Sequence, residues 1–274
     1  MTDTVGTTTS GHWSDIARRW AQVGPPLRPS AEDVAVYAGI VRTIKSPRAL
    51  ILGVTPELYR LPWPSDASVL AADHTFGMIE AVWPGPREAV MCADWRDLPL
   101  PDASRNLVMC DGGVHLLPYP HGQRKLATTL HRVIEPGGVC ILRLFVPPAV
   151  RESGDQVLDD LLAGRIPNLN VLKLRLGMAL QENANVGVEL RLIFDVIARL
   201  APSISDLADR LGWPREHLLA VESYRDSRTR YHFVTIDEVI DLFCLSPGGF
   251  EVEKTHVPAA YERCPFVVLR RVRA

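Results

Sequence analysis

Three aspartates stand at the ends of apolar runs: Asp73 after Ser68-Val69-Leu70-Ala71-Ala72, Asp94 after Ala89-Val90-Met91-Cys92-Ala93, and Asp111 after Asn106-Leu107-Val108-Met109-Cys110. One aspartate in such a place usually makes a turn or caps a helix. Three at corresponding places in successive runs suggest a shared chemical purpose. Asp73 follows Gly53 by 20 residues, the spacing at which an acid beyond a second strand accepts both hydroxyls of an adenosine ribose. Asp94, beside Trp95, is placed to accept from the exocyclic amine of adenine, and Asp111 would lie next to a reacting centre. Gly53 and Thr55 occupy the turn after Ala49-Leu50-Ile51-Leu52, and Gly112-Gly113 lead from Asp111 towards His115.

For these groups to meet, the runs must be parallel strands, because ligands bind beyond the carboxyl ends of such strands. Val139 to Phe145 supplies a fifth run, after a helix whose face carries Leu126, Leu130, Val133 and Ile134 and which Glu135-Pro136-Gly137-Gly138 ends as a turn. Strands alternating with helices predict an α/β fold, a doubly wound and mostly parallel seven-stranded sheet of Rossmann-like form. Residues 1–46 read as N-terminal helices: Ser14 to Val23, then about Ala31 to Ile44, where Ser30 and Asp33 suit a capped start. Residues 47–146 form the core. Residues 147–234 lose strand text and read as a helical cap inserted between strands five and six, with hinges near Pro147-Pro148 and Ser227. Residues 235–274 return to the core with a helix, Thr235 to Leu245, and two closing strands.

On these residues the chain resembles the class I S-adenosylmethionine-dependent methyltransferases. Asp73-His74-Thr75-Phe76-Gly77-Met78-Ile79 looks like the family's second motif. Ala93-Asp94-Trp95-Arg96-Asp97-Leu98-Pro99 is similar to its adenine-binding loop, and His131-Arg132-Val133-Ile134-Glu135-Pro136-Gly137-Gly138 to the stretch before strand five. The first motif departs from the family: Leu52-Gly53-Val54-Thr55-Pro56 holds one glycine where the family alternates several. Thr55 is instead expected to cap the following helix towards the cofactor's carboxylate. The resemblance implies S-adenosyl-L-methionine as cofactor, with Gly53, Thr55, Asp73, His74, Asp94, Trp95 and Asp111 around it.

Methyl transfer to oxygen or nitrogen of a small molecule is the activity implied. The same scaffold also supports cyclisation or aminoalkyl transfer that releases methylthioadenosine, or cofactor binding without catalysis. A nicotinamide dinucleotide suits Asp73 but not the glycine-poor turn. His115 is the candidate general base for a hydroxyl acceptor; packing against Leu116 and Leu117 is the plainer role for it. Tyr224, Arg228, Tyr231 and Tyr261 are candidates for gripping the acceptor, with the cap closing over it as a lid.

The balance of 30 basic against 32 acidic residues leaves −2, which offers no basic footprint for nucleic acid or an anionic membrane. No apolar run approaches the ~20 residues of a membrane span, and Met1 to Ser10 reads as a polar disordered tail and no secretory signal. Five cysteines without a CxxC pair suit small hydrophobes in a reducing cytoplasm and give no metal site. Nothing in the sequence speaks against a homodimer.

Overall fold

The computed structural model describes Trp13, residues 16–245 and residues 249–273; the tail Met1–Ser10 and the start of the first expected helix, Ser14 and Asp15, lie outside them. Strands of a parallel sheet are covered on both faces and so need apolar side chains at consecutive positions. The sequence supplies such runs in β1 (Arg48–Leu52), β2 (Ser68–Asp73), β3 (Val90–Cys92), β4 (Arg105–Asp111) and β5 (Ile134–Arg143). A pair, β6 (Val188–Glu189) and β7 (Arg230–Tyr231), lies in the cap, and β8 (Phe250–His256) and β9 (Phe266–Arg271) close the sheet. Its hydrogen-bonded order is β3-β2-β1-β4-β5-β9-β8. The first five strands are parallel, and β9 runs antiparallel to both β5 and β8. Chain progression reverses between β1 and β4, so the crevice beyond their carboxyl ends is the switch point where such sheets bind ligands.

Alternate residues of the strands feed two cores. Leu50, Leu52, Val108 and Leu142 pack beneath the helix α4 (His121–Val133) with Leu126 and Leu130. Ala49, Ile51, Leu107 and Met109 pack on the other side against Tyr37 of α1 (Ala31–Val41), Leu58 of α2 (Pro56–Tyr59) and Met78 of α3 (Phe76–Val82). The reciprocal cap between Ser30 and Asp33 starts α1 as expected.

The cap has a core of its own, around Val157, Leu172, Leu176, Ile193 and Leu218. It is built from α5 (Gly154–Leu162), α6 (Leu169–Leu180), α7 (Leu190–Ala198), α8 (Ile204–Leu211) and α9 (Arg215–Leu218).

Two expectations need correction. The cap is not purely helical, because β6 and β7 pair through Val188 with Tyr231 and Glu189 with Arg230. Glu135-Pro136-Gly137-Gly138 lies inside β5 and not before it; Gly137, at φ +84°, lets the strand bulge and re-enter register. The last helix is α10 (Ile236–Ile240), which widens into a π turn over Asp241–Leu245. Among the described residues no helix is long and apolar enough to cross a membrane.

Candidate active site

A cavity with about 140 Å³ of free volume lies beyond the carboxyl ends of β1, β2 and β4. Its sheet side is formed by Gly53, Thr55, Asp73, Trp95, Asp111 and the Gly112-Gly113 turn. Lys173, Leu174, Ile193, Tyr224, Tyr231 and Phe233 face it from the cap side. A covering segment, residues 16–28, contributes Ile16, Arg19, Trp20, Val23, Leu27 and Arg28.

Gly53 holds φ +96°, a conformation that favours glycine, and the Trp95 ring packs close above it. Trp95 is fixed by donation from its indole nitrogen to the Ala72 carbonyl at 2.7 Å. Thr55 stands at the N-cap of α2, but its side chain makes no capping bond, contrary to expectation, and α2 spans just four residues. Asp73 is buried, and its Oδ1 accepts the Thr75 amide at 2.8 Å. No hydrogen bond to its Oδ2 is made among the described residues. Burial raises the Asp73 pKa, with the Thr75 amide and His74 opposing that.

Asp111 also lines the cavity, yet its carboxylate is committed. The fully buried Arg143 of β5 donates to Oδ1 at 2.5 Å and to Oδ2 at 3.2 Å, and the Tyr37 hydroxyl donates to Oδ1 at 3.2 Å. Burial works against the guanidinium charge, but Asp111 beside it more than offsets this and holds the Arg143 pKa up. Arg143 also donates to the Pro26 carbonyl at 3.0 Å and lies 3.8 Å from Asp33. Arg143 thus ties the sheet to the covering segment, and Asp111 lines the cavity with its carboxylate already engaged by Arg143 and Tyr37.

Four other expected residues stand outside the cavity wall. Asp94 is held by its own neighbour: Arg96 donates to Oδ1 at 3.0 Å through Nε and to Oδ2 at 2.6 Å, and this lowers the Asp94 pKa. His74 points to solvent, its ring 3.9 Å from Asp73 Oδ1. Arg228 is exposed, on the turn before β7, beside Glu189, Arg191 and Asp226. Tyr261 is half-buried against the cap core.

His115 is buried in an aromatic box. Phe233 stacks on it at 5.2 Å between centroids, Tyr231 meets it edge-on at 4.7 Å and Phe145 lies at 5.1 Å. The paired glycines make room for this box, since a Cβ on Gly112 would come within 2.7 Å of Phe145 and one on Gly113 within 2.9 Å of Trp95. Buried Gln123 steadies the turn by donating to the Val114 carbonyl at 3.2 Å, and the His232 amide donates to the His115 carbonyl at 2.7 Å. The His115 Nδ1 is buried with no partner among the described residues. Burial first, then nearby His232, pushes the imidazole pKa down to about 3, so the ring is neutral.

Lys173, Phe233, Trp20 and Arg143 are site residues that sequence reasoning missed. Arg143 could have been found, because it is a lone cation inside apolar text, Cys-Ile-Leu-Arg-Leu-Phe; Lys173 is less distinct, with Arg175 two residues on in Val-Leu-Lys-Leu-Arg-Leu. Among the described residues no group of three His, Cys, Asp or Glu side chains converges as metal ligands.

A family model described as a methyltransferase domain matches residues 52–142. No curated protein matches the chain in sequence. Among solved structures, the chain is similar to one from Rhodobacter sphaeroides named with the zinc-dependent alcohol dehydrogenases: 15% identical, TM-score 0.66, covering 97% of this chain and 100% of that one. It is also similar to an S-adenosylmethionine-dependent methyltransferase from Mesorhizobium loti, 15% identical, TM-score 0.51, covering 88% and 99%. A methyltransferase of the same kind from Methanosarcina mazei is 12% identical with TM-score 0.50, covering 86% and 97%. At these identities the likeness is one of fold.

Proposed function

From a chain whose residues 52–142 match a methyltransferase domain, we propose a class I S-adenosylmethionine-dependent enzyme that methylates oxygen or nitrogen of a small molecule enclosed between sheet and cap. One observation carries this: a single cavity runs from the Gly53 turn and Asp73 to the aromatic box around His115. The donor set at the sheet end fits the cofactor in part. Asp73 keeps one oxygen for ribose hydroxyls, Gly53 lets a ligand approach the backbone, and Trp95 offers an apolar ring. Asp94 reaches adenine only by giving up Arg96.

When bound, the cofactor supplies an electrophilic methyl on a sulfonium. The chain's own contribution is to position the acceptor and exclude water. Rings of Phe145, Tyr231 and Phe233 keep the acceptor site dry, which favours loss of the sulfonium charge. His115 accepts a hydrogen bond from the acceptor's O–H or N–H and aims the lone pair. With a pKa near 3 it contributes orientation more than basicity. Five cysteines that form no disulfide support a reducing, cytoplasmic setting.

Incubation of the protein with the cofactor and an extract of small metabolites tests the proposal by mass spectrometry. S-adenosylhomocysteine together with an acceptor 14 Da heavier is the expected result. Methylthioadenosine in its place, or neither product, would overturn methyl transfer.

A further inference from the structure

The cap end of the cavity contains a cation that the proposed chemistry does not use. Lys173, on α6, is 7% exposed and lines the cavity. It makes no hydrogen bond or ion pair among the described residues; its ammonium lies 5.2 Å from the Tyr224 ring centroid. A ring face compensates a buried ammonium only in part, because the cost of its desolvation is larger. Burial accordingly pushes the Lys173 pKa down to about 8.

Apart from Asp73 at the sheet end, the other charges in the wall are already engaged. Arg19 donates to the Leu219 carbonyl, Arg28 to Glu57, and Asp111 is held by Arg143. A second donor faces the same need: the Trp20 indole nitrogen is buried without a partner among the described residues. Leu174, Ile193 and the rings of Tyr224 and Phe233 line the same wall. Gly177, one helical turn from Lys173, makes room for Phe233, since a Cβ there would come within 2.8 Å of its ring. A cation short of an acceptor, in a cavity wall shared with aromatic rings, is complementary to an anion carried on an aromatic frame.

We infer that the acceptor is an aromatic carboxylic acid, its carboxylate paired with the Lys173 ammonium and its ring seated between Tyr224 and Phe233. The inference rests on the methyltransferase proposal for what happens next, but the binding stands by itself. The carboxylate anchors the molecule through its charge-assisted contact with Lys173, and a hydroxyl or amine elsewhere on the ring is left to face His115.

The test uses 2-naphthoate and its neutral isostere 2-naphthamide as probes, titrated calorimetrically into the full chain. Wild type should bind the acid at least tenfold tighter than the amide. Lys173→Met should erase that preference, and Lys173→Arg should retain part of it, with melting curves confirming that each variant is folded. Equal affinities in wild type, no binding of naphthoate, or an undiminished preference in folded Lys173→Met would each overturn the assignment. Should Lys173→Met fail to fold, the wild-type comparison decides alone. A separate titration of wild type with S-adenosylmethionine tells the two readings apart: its failure would remove methyl transfer and leave the naphthoate result untouched.

Discussion

At the scale of single residues, burial decides what each candidate can do. Asp73 has an oxygen to spare and faces the cavity, and charge-assisted bonds to its carboxylate are worth ~1.5–3 kcal/mol each. Asp73→Ala should weaken cofactor binding by about tenfold to several hundredfold in a calorimetric titration. The sign of its pH dependence follows from the raised pKa. Ribose hydroxyls bind the anion, so affinity should hold above that pKa and fall as pH drops through it. The fall should begin at a higher pH than for a free aspartate and be absent in Asp73→Asn. His115 gives the opposite kind of forecast. Its depressed pKa predicts no inflection in kcat through pH 6–7 in wild type. His115→Ala should still cost about 10²-fold in kcat by loss of orientation, with cofactor affinity within about twofold. Full turnover in that variant would take His115 out of the site. Gly53, Asp73, Asp111 and His115 were legible in the sequence because a strand end fixes both position and direction. Asp94 and Asp111 show the limit of that logic: which partner a carboxylate takes depends on side chains such as Arg96 and Arg143, whose direction no spacing reveals.

At the scale of elements, the parallel strands were legible because each is buried on both faces and so written as an unbroken apolar run. Expected and observed limits of β1, β2 and β4 differ by a residue or two. β6 and β7 were not legible, since two-residue strands carry no period. The covering segment carries helical spacing in its sequence, but its role is not legible there because what fixes it is remote. Asn170 donates to the Gly24 carbonyl at 3.1 Å and Arg143 to that of Pro26 at 3.0 Å, while Arg28 pairs with Glu57 at 2.8 Å. The segment therefore spans cap and core across the cavity. Its free volume of about 140 Å³ is below the ~300–1,000 Å³ of typical small-molecule sites. The segment is held mostly by side-chain bonds of the kind that open locally, which makes it the wall expected to move on loading. A disulfide made by Gly24→Cys with Asn170→Cys should trap it. The oxidised variant should lose cofactor binding at least tenfold, and reduction should restore it. Equal affinity in both redox states would place the moving wall elsewhere.

At the scale of the molecule, sheet, first helix and covering segment share one charged centre. Arg143 is fully buried between Asp111 on β4 and Asp33 on α1, and reaches the Pro26 carbonyl. Removing one partner of a buried pair costs ~3–5 kcal/mol, because the other charges stay buried and unmatched. Arg143→Met should therefore lower Tm by about 10 °C in a thermal melt, whereas Arg96→Met, whose partner Asp94 is half-exposed, should shift it little. Similar shifts in the two variants would deny the buried centre its structural role. The ties of the covering segment also bear on how the chain matures. Gly24 and Asn170 meet across 146 residues, and Arg19 and Leu219 across 200. During synthesis this segment emerges from the ribosome long before the cap residues that will receive it, so Leu27 waits without a seat while the first strands assemble. A nascent chain can form its central strands and still be unable to enclose a ligand; that competence arrives only when the cap has been translated and the early-made segment is drawn back over it.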